Sequence, residues 1–104
     1  MATTARETDM STVSFEGRLT IPNGNAMRRT LADALRPRPS ELTIDLSGVT
    51  YIDTSGVAIL LEAMRIAVQQ GTRLVLAGVR EQPRYLLCVT ELDQIFPIDG
   101  QVKT

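Results

Sequence analysis

Residues 42–71, LTIDLSGVTYIDTSGVAILLEAMRIAVQQG, carry the two clearest secondary-structure signals in the chain, a strand and then a helix. In residues 42–46 every second residue is apolar and those between are polar, which is typical of a strand with one buried face. The pattern then predicts a turn at residues 47–48. A short apolar run, residues 49–52, leads into the polar segment DTSG at residues 53–56.

The helix directly follows this polar segment. Apolar residues recur there at the spacing of a helix with one buried stripe. The predicted stripe consists of Val57, Leu60, Leu61, Met64 and Val68. Gly71 comes after the last of these residues, at a position where a left-handed glycine commonly ends a helix.

N-terminal to this unit, the sequence predicts a strand and a helix. Alternation predicts the strand from Ser11 onward, with a bulge or a close backbone approach at Gly17. Asn23 or Asn25 can cap the helix, and the prolines within residues 36–40 end it. Its buried stripe is predicted to be Met27, Leu31, Ala34 and Leu35.

C-terminal to the unit, residues 73–77, RLVLA, predict a short strand. Residues 81–90 predict a helix with Pro83 in its first turn. The residues of that helix expected to face the core are Leu86, Leu87 and Val89. A turn at residues 91–94 and a short strand at residues 95–98 follow, and the proline in that strand lacks a ladder donor, so we expect it at a sheet edge.

The order of predicted elements is β, α, β, α, β, α, β, which indicates an α/β fold with right-handed crossovers and a largely parallel sheet. The strand at residues 41–46 alternates, whereas a strand covered on both faces is apolar throughout. We therefore expect helices packed mainly on one face of the sheet, with the other face partly solvated. Residues 1–10 and 99–104 are expected to be flexible tails, with a weak edge strand as the alternative for residues 1–10.

The composition indicates a single domain, residues 1–104, and narrows the classes of partner. Hydrophobic residues make up 43% of the chain, charged residues 22%, and the formal net charge is −1. Without a block of like charge, we expect no nucleic acid and no anionic membrane as a partner. No apolar run approaches the length of a membrane-spanning helix, so we expect no direct membrane insertion. The first ten residues are too polar for a signal peptide, which predicts a cytoplasmic protein.

The chain contains no histidine and one cysteine, Cys88. The lack of histidine removes Ser-His-Asp and Cys-His catalysis and the commonest metal ligand. A single cysteine allows neither an internal disulfide nor a thiolate zinc site. Because its neighbours are apolar, Cys88 is predicted to be a buried, unreactive thiol. We expect no metal and no cofactor.

Residues 53–56 are the candidate functional segment, because they join the carboxyl end of a strand to the start of a buried helix. Helix starts have unpaired N–H groups and a partial positive charge, which favour oxygen side chains and anions. A plain N-cap explains one such residue. An anion site is a second interpretation, but the chain lacks a P-loop pattern. A nucleophile at Thr54 or Ser55 is a third interpretation, but no histidine or lysine base is available to activate it. The fourth is a hydroxyl that a kinase phosphorylates.

Residues 45–79, DLSGVTYIDTSGVAILLEAMRIAVQQGTRLVLAGV, resemble the STAS domain of bacterial anti-sigma factor antagonists. The shared pattern is a strand ending in D-L-S or D-L-G, a few apolar residues, and D-[ST]-[SG]-G-[LV] opening a long helix. ELDQIFPI, residues 91–98, also resembles the closing segment of the family. The resemblance covers residues 11–98 and implies a mixed sheet of four to five strands with helices mainly on one face.

The antagonist resemblance implies a protein that is not an enzyme but a switch. The unphosphorylated antagonist binds an anti-sigma factor that is also a serine/threonine kinase, and phosphorylation by that kinase breaks the complex. The phosphoacceptor of the family directly follows the aspartate, which places it at Thr54, with Ser55 as the alternate. The family often carries G-E-L-D after its second strand, where this chain has GRLT at residues 17–20.

A second branch of the family is also similar. STAS subunits of phospholipid-trafficking ABC transporters carry D-T-x-G-[LV]-A-x-L-L, which residues 53–61, DTSGVAILL, match. Those subunits dock on the transporter ATPase without a phosphorylation cycle. Ser55 and the closing residues 91–98 favour the antagonist branch.

The expected partner is an anti-sigma factor kinase or an ABC transporter ATPase, and a weak homodimer stays open. The residues predicted to contact the partner are Thr20, Pro22, Asn23, Asp53, Thr54, Ser55, Gly56, Val57 and Arg80. Gln82 is expected near the same edge. Arg28 and Arg29 are interpreted as a solvated helix face.

Overall fold

The computed structural model describes residues 10–96 and 98–99 of the chain, in which strands alternate with helices. The strands are β1 Met10–Leu19, β2 Glu41–Ile52, β3 Arg73–Ala77 and β4 Ile98–Asp99. The helices are α1 Gly24–Leu35, α2 Thr54–Gln70 and α3 Glu81–Val89, and the short 3-10 turns are Ile21–Asn23 and Leu92–Gln94. The predicted order of elements is confirmed.

The described strands form one sheet in the order β1-β2-β3-β4, and every neighbouring pair is parallel. The prediction of a largely parallel sheet is therefore confirmed for these pairs. Because β4 has only two residues, the sheet consists in substance of three strands. The predicted total of four to five strands and the mixed strand directions stay predictions.

Two residues that were assigned to the predicted tails lie in strands. Met10 begins β1 and Asp99 ends β4, so neither residue belongs to a tail. The interpretation of residues 1–9 as a flexible tail or weak edge strand lies outside the described residues. The same holds for residues 100–104 and for the proline at position 97.

The hydrophobic core lies on one face of the sheet, as predicted. Leu42, Ile44 and Leu46 of β2 are fully buried, whereas the residues between them are half-buried. The core joins this face to residues of all three helices, including Leu31 of α1 and Leu60 of α2.

The turn predicted at Ser47-Gly48 is wrong, because β2 continues without a break to Ile52. Its pairing with β1 shifts register between Ser14 and Glu16 and again at Gly17, where φ is +83°, so the bulge predicted there is confirmed. A Cβ on Gly48 would lie 2.9 Å from the Cγ of Glu16. This glycine therefore serves a close approach between strands rather than a turn.

The buried stripe of α1 is confirmed, with Met27, Leu31 and Leu35 buried, but the stripe predicted for α2 is partly wrong. The buried residues of α2 are Gly56, Val57, Ile59, Leu60, Ala63 and Ala67. Leu61 and Val68 are exposed. The prediction included only large side chains, whereas the packed face combines Ile59 and Leu60 with the small residues Gly56, Ala63 and Ala67.

Two predictions for α3 and one for the last strand are also wrong. Val89 and Cys88 are exposed, because the buried side of this short helix is occupied by Pro83 and Leu87. The strand predicted at residues 95–98 is displaced to Ile98–Asp99. Phe96, which precedes it, is buried in the core.

Candidate functional site

The junction of β2 and α2 is built around the side chain of Asp53, the N-cap of α2. Its Oδ1 accepts hydrogen bonds from the backbone N–H of Ser55 at 3.0 Å and of Gly56 at 3.1 Å, and from the Ser55 hydroxyl at 2.5 Å. The Asp53 carboxylate thus satisfies N–H groups that the start of a helix leaves unpaired. We refer to residues 53–57 as the lip.

Gly56 allows the lip to lie directly against the end of β1. A Cβ at this position would be 2.7 Å from Cγ1 of Ile52 and 2.8 Å from the carbonyl oxygen of Leu19. The backbone N–H of Asp53 donates to that same Leu19 oxygen at 3.2 Å. The lip is therefore held against the end of β1 by a backbone hydrogen bond and by close packing.

The loop after β1 packs on the lip, as predicted. The backbone N–H of Ile21 lies close enough to the Asp53 carboxylate to help lower the pKa of that carboxyl. Asn23 occupies the N-cap position of α1, but its Oδ1 accepts from the hydroxyl of Thr20 at 3.2 Å. Its side chain thus closes the loop instead of capping the helix. Pro22 lies exposed between these residues.

Thr54 and Ser55 differ in what their hydroxyl groups contact. The Ser55 hydroxyl donates to Asp53 and its residue is half-buried. Thr54 is exposed, and within residues 10–96 and 98–99 its hydroxyl has no hydrogen-bond partner. Of the two hydroxyls at the helix start, that of Thr54 is the one presented to solvent.

The lip carries a stable negative charge. The hydrogen bond from the Ser55 hydroxyl, followed by those from the N–H groups of Gly56, Ser55 and Ile21, holds the pKa of the Asp53 carboxyl below its ordinary value of 3.8. Partial desolvation opposes this lowering. Asp53 is consequently ionised at neutral pH.

A shallow groove of about 360 Å³ opens beside the lip, between the starts of α1 and α2. It is lined by Ile21, Gly24, Asn25, Arg28, Ser55, Ala58 and Ile59. Ile21 is 75% exposed, although large apolar side chains are usually buried. The sequence-based prediction named the neighbours of Ile21 as contact residues and included Ile21 only as part of the loop at residues 20–23.

The predicted contact residues do not all meet at the lip. Within the lip itself, Gly56 and Val57 are buried. Arg80 is exposed, and its Nη1 donates to the carbonyl oxygen of Ser47, in the middle of β2, at 3.3 Å. Arg28, interpreted as part of a solvated face, lines the groove and forms a salt bridge with Glu62 at 3.1 Å.

Two further structural findings concern the described residues alone. Among them, no group of three or more His, Cys, Asp or Glu side chains could hold a metal ion. None of the helices in this part of the chain has the length and hydropathy that crossing a bilayer requires.

A comparison of sequences places the chain among STAS domains. A family model described as "Mlab, STAS domain" matches residues 2–98. The chain is also 28% identical over 83 residues to YvdB of Bacillus subtilis (strain 168), a candidate sulfate transporter. This match covers 80% of the chain and 16% of YvdB, so the chain corresponds to a small part of that relative.

Two solved structures have closely similar folds. A candidate anti-sigma factor antagonist from Thermotoga maritima is 21% identical with a TM-score of 0.82, covering 90% of this chain and 81% of that one. An anti-sigma factor antagonist from Mycobacterium paratuberculosis is 22% identical with a TM-score of 0.81, covering 90% and 80%. Together with the family match over nearly the whole chain, these structures lead to one conclusion: the protein belongs to the STAS domain family described as Mlab, STAS domain.

Proposed function

We propose that this protein is a regulatory binding protein of the anti-sigma factor antagonist type. It binds an anti-sigma factor that is also a serine/threonine kinase, through the lip and the loop at residues 20–23. Phosphorylation of Thr54 by that kinase switches the binding off. The protein itself catalyses no reaction in this cycle.

The observation that carries the proposal is the contrast between two neighbouring hydroxyls. The Thr54 hydroxyl is exposed and without a partner among the described residues, whereas the Ser55 hydroxyl is engaged by Asp53. A kinase can reach the first without breaking a hydrogen bond that caps α2. The phosphoryl group of ATP would pass to the Thr54 oxygen, ADP would leave, and a base of the kinase would take the hydroxyl proton.

The expected switch is electrostatic. A phosphoryl group adds roughly −1.5 to −2 charges at neutral pH, and the start of a helix tolerates negative charge. The fold would thus survive the modification. A partner seated on the lip, however, would have to desolvate the phosphate next to the ionised Asp53 and the exposed apolar side chain of Ile21.

The direct test is incubation of the protein with the kinase partner and ATP, followed by intact-mass measurement. We expect the wild type to gain one phosphoryl group, and Thr54→Val, which keeps the shape but lacks the hydroxyl, to gain none. Ser55→Ala should still be phosphorylated. An unchanged wild-type mass, or a Thr54→Val protein that is still modified, would refute the proposal.

A second candidate function is a STAS subunit that docks on the ATPase of a phospholipid-trafficking ABC transporter. The similarity of residues 53–61, DTSGVAILL, to such subunits supports it. The same lip would be the docking surface, without a phosphorylation cycle.

Copurification separates the two candidates. The transporter function predicts that the tagged protein isolates with an ABC ATPase, and that its gene neighbours encode a permease and a substrate-binding protein. The antagonist function predicts a kinase and a sigma factor gene instead.

A further inference from the structure

We propose that Gln82, the second residue of α3, is a positioning residue that holds the lip in place. The inference rests on the proposed function for its purpose, since it concerns how Thr54 is presented. Its structural part can be tested without any partner.

The need for such a residue arises from the unequal lengths of β2 and β3. On the β3 side, β2 is paired only at residues 41–45, yet it continues to Ile52. Beyond residue 45, backbone groups that face this side have no strand partner. Buried or half-buried backbone groups without a hydrogen bond are costly, so another group has to supply one.

The side chain of Gln82 supplies both hydrogen bonds at the last residue of β2. Its Oε1 accepts from the backbone N–H of Ile52 at 2.8 Å, and its Nε2 donates to the carbonyl oxygen of Ile52 at 3.0 Å. Both hydrogen bonds are partly buried. An amide side chain carries one acceptor and two donors, so it can replace the missing strand with the same pattern of bonds.

The position of these two hydrogen bonds explains why they affect the lip. Ile52 immediately precedes Asp53, whose carboxylate orders the first turn of α2. On the opposite side, the Asp53 N–H is held by Leu19. The chain is thus fixed from both sides just before Thr54, by β1 and by Gln82. Removing one of these constraints allows the peptide between Ile52 and Asp53 to rotate.

The packing of α3 fixes the position of Gln82. Pro83 follows Gln82 and is fully buried, and the N–H of Arg84 donates to the carbonyl oxygen of Arg80 at 2.8 Å. Gln82 is therefore held from a packed helix turn and not from a loose loop. Neither Arg80, bound at Ser47, nor any strand can take over its contacts with Ile52.

Amide hydrogen exchange measured by NMR tests the inference on the whole protein. Gln82→Met has a side chain of similar length without hydrogen bonds, and Gln69→Met, at an exposed position of α2, is the control. We expect exchange of the Ile52 amide to accelerate at least tenfold in Gln82→Met, and exchange at Ser55 and Gly56 at least threefold. Exchange at Leu42 and Ile44 should stay at the wild-type rate.

Two outcomes would overturn the inference. If Ile52 exchanges faster while Ser55 and Gly56 do not, Gln82 merely ends a strand. If Ile52 is unaffected, its hydrogen bonds with Gln82 do not hold in solution.

Should Gln82→Met fail to fold, Gln82→Glu replaces it. The carboxylate of Glu accepts from the Ile52 N–H but cannot donate to the carbonyl oxygen. We expect the same changes in exchange at the lip.

A kinetic measurement tests whether the hydrogen bonds between Gln82 and Ile52 affect phosphorylation of Thr54. With the kinase partner, Gln82→Met should lower kcat for Thr54 phosphorylation at least threefold and leave KM within twofold, because the docking surface is intact. An unchanged kcat would overturn the positioning role. Failure of wild-type phosphorylation would refute the proposed function instead, and the exchange result would still stand.

Discussion

At the residue scale, Gly56 shows how little room the junction between β2 and α2 leaves. A Cβ added to Gly56 would collide with the side chain of Ile52 and with the carbonyl oxygen of Leu19. The second of these neighbours belongs to the backbone and cannot rotate away. The glycine is therefore required by close packing and not by its backbone angles.

Substituting Gly56 should consequently destabilise the protein. We expect Gly56→Ala to lower the free energy of unfolding by about 1–3 kcal/mol, as overpacking in a well-packed site typically does. The matched control is Gly24→Ala, whose new Cβ would lie 3.3 Å from a side-chain atom of Ile59 that can move. Urea denaturation measures both; equal costs for the two variants would contradict this account of Gly56.

The Asp53 carboxyl, at the same junction, predicts that the stability of the protein depends on pH. Because its folded-state pKa lies below the ordinary value of 3.8, its contribution to stability is present above that value. It is lost as the pH falls through the folded-state pKa. Asp53→Asn should remove this part of the acid dependence and lower the melting temperature by a few degrees at neutral pH.

Thermal unfolding of wild type and Asp53→Asn between pH 7 and about pH 2 measures this effect. The two melting temperatures should converge as the pH is lowered. A constant difference over the whole range would show that the charge of Asp53 does not stabilise the lip. Asp45, whose pKa is lowered chiefly by the Ser47 N–H, is expected to give both proteins a common residual acid dependence.

At the element scale, the burial of α2 separates two adjacent leucines. Leu60 is 0% exposed and Leu61 is 36% exposed. Leu60→Ala should lower the free energy of unfolding by about 2–5 kcal/mol, the usual cost of truncating a buried leucine. Leu61→Ala should cost clearly less, about 1 kcal/mol or below. Chemical denaturation measures both, and similar values would place the core face of α2 elsewhere.

The elements of this fold were largely predictable from local patterns, and the exceptions have a common cause. β3 follows from a short apolar run, the stripe of α1 follows from the helical period, and the cap at Gly71 follows from the left-handed conformation that glycine adopts readily. The face of α2 could not be chosen correctly, because apolar residues surround much of that helix and tertiary packing decides which of them are buried. The continuation of β2 beyond Gly48 depends on its pairing with β1, which no local pattern contains.

The candidate site was predictable in its polar part only. Residues 53–56 stand out because they combine capping residues with a glycine at a helix start. Gln82 was expected only near the same edge and Ile21 only within the adjacent loop, because neither residue type indicates a role by itself. Their roles depend on which segments the fold brings together, the loop after β1 and the first turn of α3.

At the scale of the whole molecule, the proposed phosphorylation would change the charge of one surface without disturbing the core. The lip, the loop at residues 20–23 and the groove beside Ile21 are continuous, and Thr54 lies exposed within them. Gln82 connects the same surface to α3. The proposed switch therefore requires no conformational change of the sheet.

One measurement tests whether this surface is a charge-controlled docking site. It is the affinity of the kinase partner for the wild type, for Thr54→Glu and for Thr30→Glu. Thr30, exposed on α1, controls for added charge elsewhere. We expect Thr54→Glu to weaken binding by about tenfold or more and Thr30→Glu to leave the dissociation constant within about twofold, as for a surface substitution away from the contact. Equal affinities of Thr54→Glu and wild type would contradict the account.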